Sequence, residues 1–304
     1  MERDELETPL TCRFFLQGLN DTYLLTAGAD RSIFRVYQAG WRSDDDVYWE
    51  MDLLGHLGRK GVAVSLPVPA RDTRLIHVLE APEGARQAAL FSYAPGTFPS
   101  TKDQAWSRLY GRAIAWLHNA TDDFASTYSR FSLDLDHLLT APLAALQPFL
   151  VHRQDDWKYL LEHGRAVASG IQDRAPDLEW GICHGDLHGE NAHFEGQNVT
   201  FFDFDCGGPG WRAYELAVFR WSLEHRQPDQ ADSLWRAYLD GYTTTRTLRS
   251  ADLDAVPLFV TLRQIWLMGL QASNSNDWGI SFMDDSYFDS ALDFLRTWQE
   301  EHPV

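Results

Sequence analysis

Apolar positions along this 304-residue chain change their spacing once. Up to about residue 93 they fall in short runs of β-favouring residues. Phe14-Phe15-Leu16, then 22–26, then 32–37 are separated by Gly18-Leu19-Asn20-Asp21 and Gly28-Ala29-Asp30, which predicts three strands joined by two turns. A helix is predicted over 44–59, where Asp44-Asp45-Asp46 supply an acidic first turn and Val47, Met51, Leu54 and Gly58 follow at helical spacing. Runs at about 74–80 and 87–93 complete a small antiparallel sheet. Ala94-Pro95-Gly96-Thr97-Phe98-Pro99 is a turn-rich break. Beyond it the period becomes helical, with helices expected at 101–119, 134–150, 155–173, 211–225, 229–245, 252–272 and 286–300. One polar island interrupts them between Gly181 and Gly210, where two short strand-like runs surround turns rich in His, Asp and Asn. The expected fold is α+β in two lobes: a small β-rich N-lobe over 1–93 and a large helical C-lobe over 94–304, with a ligand cleft between them.

Composition narrows the partners. Lys and Arg number 26 against 44 Asp and Glu, a formal net charge of −18. Such a chain lacks the basic stripe that nucleic acid or an anionic lipid surface requires, so neither is an expected partner. A hydrophobic fraction of 44% can fill a sizeable core, which excludes disorder. Cys12, Cys183 and Cys206 are too few and too scattered for a disulfide framework. The opening Met1-Glu2-Arg3-Asp4-Glu5 has no signal-peptide layout, and no uninterrupted apolar run approaches the ~18 residues of a membrane span. A cytoplasmic protein is expected.

The island carries the chemistry. Ile182-Cys183-His184-Gly185-Asp186-Leu187-His188-Gly189-Glu190-Asn191 is followed by Val199-Thr200-Phe201-Phe202-Asp203-Phe204-Asp205. An Asp, an Asn five positions later and an Asp at the end of an apolar strand form the inventory that phosphoryl transfer from ATP needs. One carboxylate orients the attacking hydroxyl, while an amide oxygen and a carboxylate hold Mg²⁺ on the phosphates. A zinc site drawn from Cys183, His184, His188, His193 and Cys206 is the competing reading, and the lack of a Cys-x-x-Cys pair counts against it.

His184 to Asn191 with Phe202-Asp203-Phe204-Asp205 resembles the aminoglycoside phosphotransferase and choline kinase-like family of the protein-kinase-like fold. The continuation Gly207-Gly208-Pro209-Gly210-Trp211-Arg212-Ala213-Tyr214-Glu215-Leu216-Ala217 is most similar to the branch of stress-response kinases and type II homoserine kinases. The resemblance implies Asp186 as catalytic base, Asn191 and Asp203 as Mg²⁺ ligands, His184 as a brace for the loop, and Asp205 as an auxiliary metal ligand. It also makes 90–94 the hinge, where backbone groups of the segment holding Phe91 and Tyr93 would meet the adenine of ATP; no side chain there selects ATP over GTP.

A kinase needs a cation on the nucleotide phosphates, tethered by a helix carboxylate. The strand at 32–37 offers Arg35 in place of the usual Lys, and Glu50 lies on the inward face of the following helix. The phosphate loop is reduced to Gly18 with Asn20 and Asp21. For the acceptor, Asp277 and Trp278, with Trp266, Asp284 and Asp285, suit an ammonium-bearing alcohol such as an amino sugar or amino alcohol. Three functions stand on these residues: a small-molecule phosphotransferase, a constitutive Ser/Thr protein kinase, and a kinase-like binding module without turnover. The Asp203-Phe204-Asp205 run and the short link to the next helix disfavour control by activation-loop phosphorylation.

Overall fold

The computed structural model describes residues 10–99, 101–275 and 282–303. The chain forms two compact units, each assembled from separated segments. One gathers Met1–Ser100, Asp123–Arg130 and Asn191–Asp205; the other gathers Thr101–Asp122, Phe131–Glu190 and Cys206–Val304.

The first unit is built on strands β1 (Leu10–Gln17), β2 (Asp21–Ala27), β3 (Asp30–Val36), β4 (Ile76–Ala81) and β5 (Gly84–Ser92). They form one sheet in the order β1-β2-β3-β5-β4, every neighbour antiparallel. Helix α1 (Asp44–Arg59) follows β3. Its start is set locally: Ser43 Oγ accepts from the Asp46 amide, and the Ser43 amide donates in turn to Asp46 Oδ2, a capping box. Val47, Met51, Leu53, Leu54 and Leu57 bury the inward face, and Glu50 is buried among them.

The polar island contains four strands rather than two: β6 (Trp180–Cys183), β7 (Ala192–Glu195), β8 (Asn198–Phe201) and β9 (Gly208–Trp211). β7 and β8 form a hairpin that belongs to the first unit. Backbone bonds stitch it there, from Ser65 N to Phe201 O (2.8 Å), Phe201 N to Ala63 O (3.0 Å) and Phe194 N to Thr97 O (2.8 Å). Four-residue strands carry too little periodicity to be read apart from their turns, which is why the sequence shows two runs where the chain makes four.

The second unit holds α2 (Gln104–Ala120), α3 (Ala141–Leu146), α4 (Gln154–Arg174), α5 (Arg212–Arg226), α6 (Ala231–Thr243), α7 (Ser250–Ser273) and α8 (Asp285–Glu301), with β6 and β9 paired antiparallel. The helix expected at 134–150 is instead a π turn (Asp136–Thr140), α3 and a 3₁₀ turn (Gln147–Leu150) in succession. Pro142 and Pro148 each remove an amide donor, which prevents one continuous ladder. Helices α2 and α6 approach until backbones touch: a Cβ at Gly111 would strike the Tyr238 carbonyl, and one at Gly241 the Arg108 carbonyl. By length and composition α7 passes as a membrane span, but 72% of its most apolar window is buried in the protein, so it is the central core helix of this unit.

Candidate active site

In the first unit the site begins with Arg35 on β3. Its guanidinium donates from Nη1 to Glu50 Oε1 and from Nη2 to Asp203 Oδ1, each at 2.9 Å. Tyr37 donates its hydroxyl to the other Glu50 oxygen at 2.9 Å. Phe91 on β5 lies behind, its ring 5.0 Å from the guanidinium carbon. Burial favours the neutral Arg35, but Asp203 and Glu50 outweigh it and raise its pKa well above the ordinary value. Burial pushes Glu50 up, opposed by Arg35. Breaking a buried pair of this kind costs about 3–5 kcal/mol, so the expected Arg35–Glu50 tether is also an internal brace.

The two carboxylates of Asp203-Phe204-Asp205 have opposite surroundings. Asp203 follows β8, its side chain is 48% exposed, and its backbone sits at φ 66°, a left-handed conformation that Asp tolerates better than most residues. Asp205 is 3% exposed. Its Oδ1 accepts from Arg42 Nε (3.0 Å), and its Oδ2 accepts from Trp41 Nε1 (2.9 Å) and Asn20 Nδ2 (3.1 Å). Burial would raise its pKa, but Arg42, Arg35 and Arg130 lower it to about 2. Asp205, expected as an auxiliary metal ligand, therefore has both oxygens engaged by protein donors. Those donors fasten the β1–β2 turn, through Asn20, to the segment entering α1.

Asn191 precedes β7 and Asp203 follows β8, so the Ala192–Phe201 pairing puts both at the same end of one hairpin. The Asn191 carbonyl accepts from the Phe202 amide at 3.1 Å. An amide and a half-exposed carboxylate are hard oxygen donors and fit Mg²⁺. Among the described residues no three His, Cys, Asp or Glu side chains form a metal cage. Mg²⁺ in kinase sites is held by one or two carboxylates together with substrate phosphates, so a donor pair suffices. Cys183 is a poor zinc ligand, because burial pushes its thiol pKa well up.

In the second unit Asp186 lies in the turn after β6. Arg263 Nη2 donates to its Oδ1 at 2.5 Å, and His188 Nε2 lies 3.5 Å from its Oδ2. Burial would raise the Asp186 pKa; Arg263, then the two histidines, hold it well below the usual carboxylate range. The loop is anchored by Glu215 of α5, whose carboxylate accepts from the backbone amides of His184 and Gly185. Burial raises the Glu215 pKa to about 7 despite these amide donors. Gly185 has φ 80°, and a Cβ there would meet the Cys206 carbonyl, so the turn requires glycine. His184, expected as the loop brace, is fully buried.

The remaining expected residues fall as follows. Gly18 is in the exposed β1–β2 turn, its amide donating to Asn20 O at 3.2 Å. Tyr93 lies just after β5 with the Arg31 guanidinium 3.9 Å from its ring centre. Asp277 and Trp278 lie outside the described residues. Asp284 caps α8 by accepting from the Tyr287 amide, and Asp285 pairs with His152 and Arg153. Trp266 packs against Arg263, its ring centre 4.7 Å from the guanidinium carbon. The sequence reading missed Arg263 and the Asn20–Trp41–Arg42 donors. The signal for Arg263 was present: it is the only charged residue in α7 after Asp254.

The family model described as "Phosphotransferase enzyme family" matches residues 11–248. An uncharacterised protein of Deinococcus radiodurans is 42% identical over 94% of this chain and 84% of its own length. A homoserine kinase of Allorhizobium ampelinum is 28% identical over 79% of this chain and 72% of its own. Among solved structures, a microcompartment-associated aminopropanol kinase has a TM-score of 0.70 at 25% identity, covering 95% of this chain and 90% of that one. The amicoumacin kinase hAmiN, in complex with AMP-PNP, Ca²⁺ and Ami, has a TM-score of 0.79 at 18% identity, covering 96% and 89%, a likeness of fold.

Proposed function

The chain belongs to the phosphotransferase enzyme family, and from that premise we propose that it moves the γ-phosphate of ATP, with Mg²⁺, to a hydroxyl of a small amine-bearing molecule. The observation that carries this reading is the Arg35 guanidinium held between Glu50 and Asp203, with Asn191 at the same end of the β7–β8 hairpin. An amino alcohol is the acceptor class favoured by the likeness to an aminopropanol kinase. The match to homoserine kinases favours a hydroxy amino acid as the second class to try. The cytoplasm, where ATP is made available, is the compartment this reading calls for.

In this reading Asn191 and Asp203 hold the metal, which supplies positive charge against the phosphate oxygens when bound. Arg35, kept at one angle by Glu50, points its charge at the nucleotide phosphates. Asp186 orients the acceptor hydroxyl and takes its proton at a carboxylate oxygen. In the loose transition state of phosphoryl transfer that proton leaves late, so a weakly basic carboxylate is sufficient. The outer donors of Asp205 keep the β1–β2 turn in register with Asp203.

ADP release tests the reading with MgATP or MgGTP and a panel of 1-amino-2-propanol, ethanolamine, L-homoserine and an amino sugar. We expect release that depends on one acceptor class and falls by ~10²–10⁴-fold in Asp186→Asn. Full turnover in that variant would remove Asp186 from the mechanism. A thermal midpoint unmoved by either nucleotide with Mg²⁺ would remove the kinase reading itself.

A further inference from the structure

We propose that Arg263 is a positioning residue for phosphoryl transfer: it grips the Asp186 carboxylate by Oδ1 and so fixes the plane in which that carboxylate, with His188 beside its Oδ2, meets the acceptor hydroxyl. The inference rests on the reading of Asp186 as the group that orients the acceptor.

A buried guanidinium in an apolar core helix is expensive, and the fold would be served as well by an apolar residue of similar size. The side chain of Arg263 is 3% exposed, and its carboxylate partner is Asp186. A further bond runs to the Gly185 carbonyl at 3.4 Å, in the same turn. The guanidinium is confined by two indoles, 5.3 Å from the ring centre of Trp221 and 4.7 Å from that of Trp266. Trp221 is itself fixed, since its Nε1 donates to Gln264 Oε1 at 2.7 Å, and Gln264 is the neighbour of Arg263. An aromatic clamp of this kind removes the rotamer freedom of Arg before the acceptor arrives, which is how a supporting residue holds a catalytic group to within a fraction of an ångström.

The titratable and charged groups facing Asp186 come from every element around it: His184 and His188 of its own loop, Tyr110 of α2, Tyr214 and Glu215 of α5, and Arg263 of α7. Burial favours the protonated Asp186, and Arg263 is the largest influence the other way. Without Arg263 the carboxyl is held less firmly in its ionised form and loses the bond that fixes its plane.

The test uses the full chain with aspartate labelled with ¹³C at Cγ, in wild type, Arg263→Lys and Arg263→Met. The Asp186 signal is identified by its loss in Asp186→Asn. From pH 4 to 8 it should keep its carboxylate position in wild type, titrate in Arg263→Met, and be restored in large part in Arg263→Lys. With the acceptor found by the panel, kcat should fall ~10²-fold in Arg263→Met at nearly constant KM for MgATP. A purely structural ion pair would lower the thermal midpoint and shift the carboxyl titration yet leave kcat unmoved; an unmoved kcat overturns the proposal. If Arg263→Met does not fold, Trp266→Leu loosens the clamp with the charge retained. It should lower kcat and leave Asp186 ionised, and an unchanged kcat there counts against the proposal. Turnover surviving in Asp186→Asn instead refutes the role of Asp186, whatever Arg263 does.

Discussion

Replacing Asp205 by Ala separates two roles that a carboxylate after a β-strand can play. The side chain accepts bonds from Arg42, Trp41 and Asn20, and it is 3% exposed. Removing it takes the carboxylate away from a buried guanidinium, which costs about 3–5 kcal/mol. Linkage gives a second figure. A carboxyl held at about 2 in the folded protein, against an ordinary value near 3.9, contributes roughly 2.5 kcal/mol at neutral pH. Both figures are compatible with a loss near 3 kcal/mol, and at about 2–4 °C per kcal/mol the midpoint should drop by about 6–12 °C. Because the folded pKa is depressed, the stabilisation is fully present above about pH 4 and disappears as pH falls towards 2. The gap between wild type and variant should therefore close in acid. The assay is thermal unfolding of the nucleotide-free protein at pH 7 and pH 3, followed by tryptophan fluorescence. An unchanged midpoint at pH 7, with the Mg²⁺ dependence of nucleotide binding lost, would refute the reasoning and make Asp205 a metal ligand.

Two other perturbations test the second unit. Gly241→Ala should raise helix propensity by up to ~1 kcal/mol, yet the new Cβ meets the Arg108 carbonyl. Because backbone cannot step aside, we expect a net loss of about 1–3 kcal/mol in urea unfolding, and a stabilised variant would show that α2 and α6 are not in backbone contact. Glu215, raised to about 7 by burial, holds one more proton in the folded than in the unfolded state between about pH 4.3 and 7. Its contribution is present below that window and is lost as pH rises through it, so stability should fall between pH 5 and 7.5 in wild type. Glu215→Gln should flatten that slope; an identical slope in the variant would assign it to another group.

Local periodicity made most of the fold legible. The strand expected at 32–37 and the helix expected at 44–59 agree with the structure to within two residues, because alternation and a capped amphipathic turn are properties of adjacent residues. The same local logic brought Arg35 and Glu50 together, since strand parity and helix phase decide where each side chain points. What stayed hidden depends on distant partners. Asn20 meets Asp205 across 185 positions, and Arg263 meets Asp186 across 77. Neither pairing leaves a periodic trace; the only local sign is the single charge of Arg263 in the apolar stretch of α7 after Asp254. Residue type likewise cannot rank Asp203 against Asp205, because exposure is decided by Trp41, Arg42 and Asn20 closing over one of them. The π and 3₁₀ turns around α3 were missed because helical spacing of apolar residues says little about which hydrogen-bond ladder the backbone adopts.

The left-handed backbone at Asp203 bears on how this chain can change over generations. Asn and Gly are both one nucleotide away from Asp, and both accept φ 66° as well as Asp or better. Either replacement discharges the position while the hairpin keeps its path. Glu keeps the charge but has no comparable tolerance for that conformation. With the metal role proposed for Asp203, drift at this codon is channelled towards residues that would silence the chemistry and spare the fold. A descendant with a phosphotransferase shape and no phosphotransferase activity would then be one base change away.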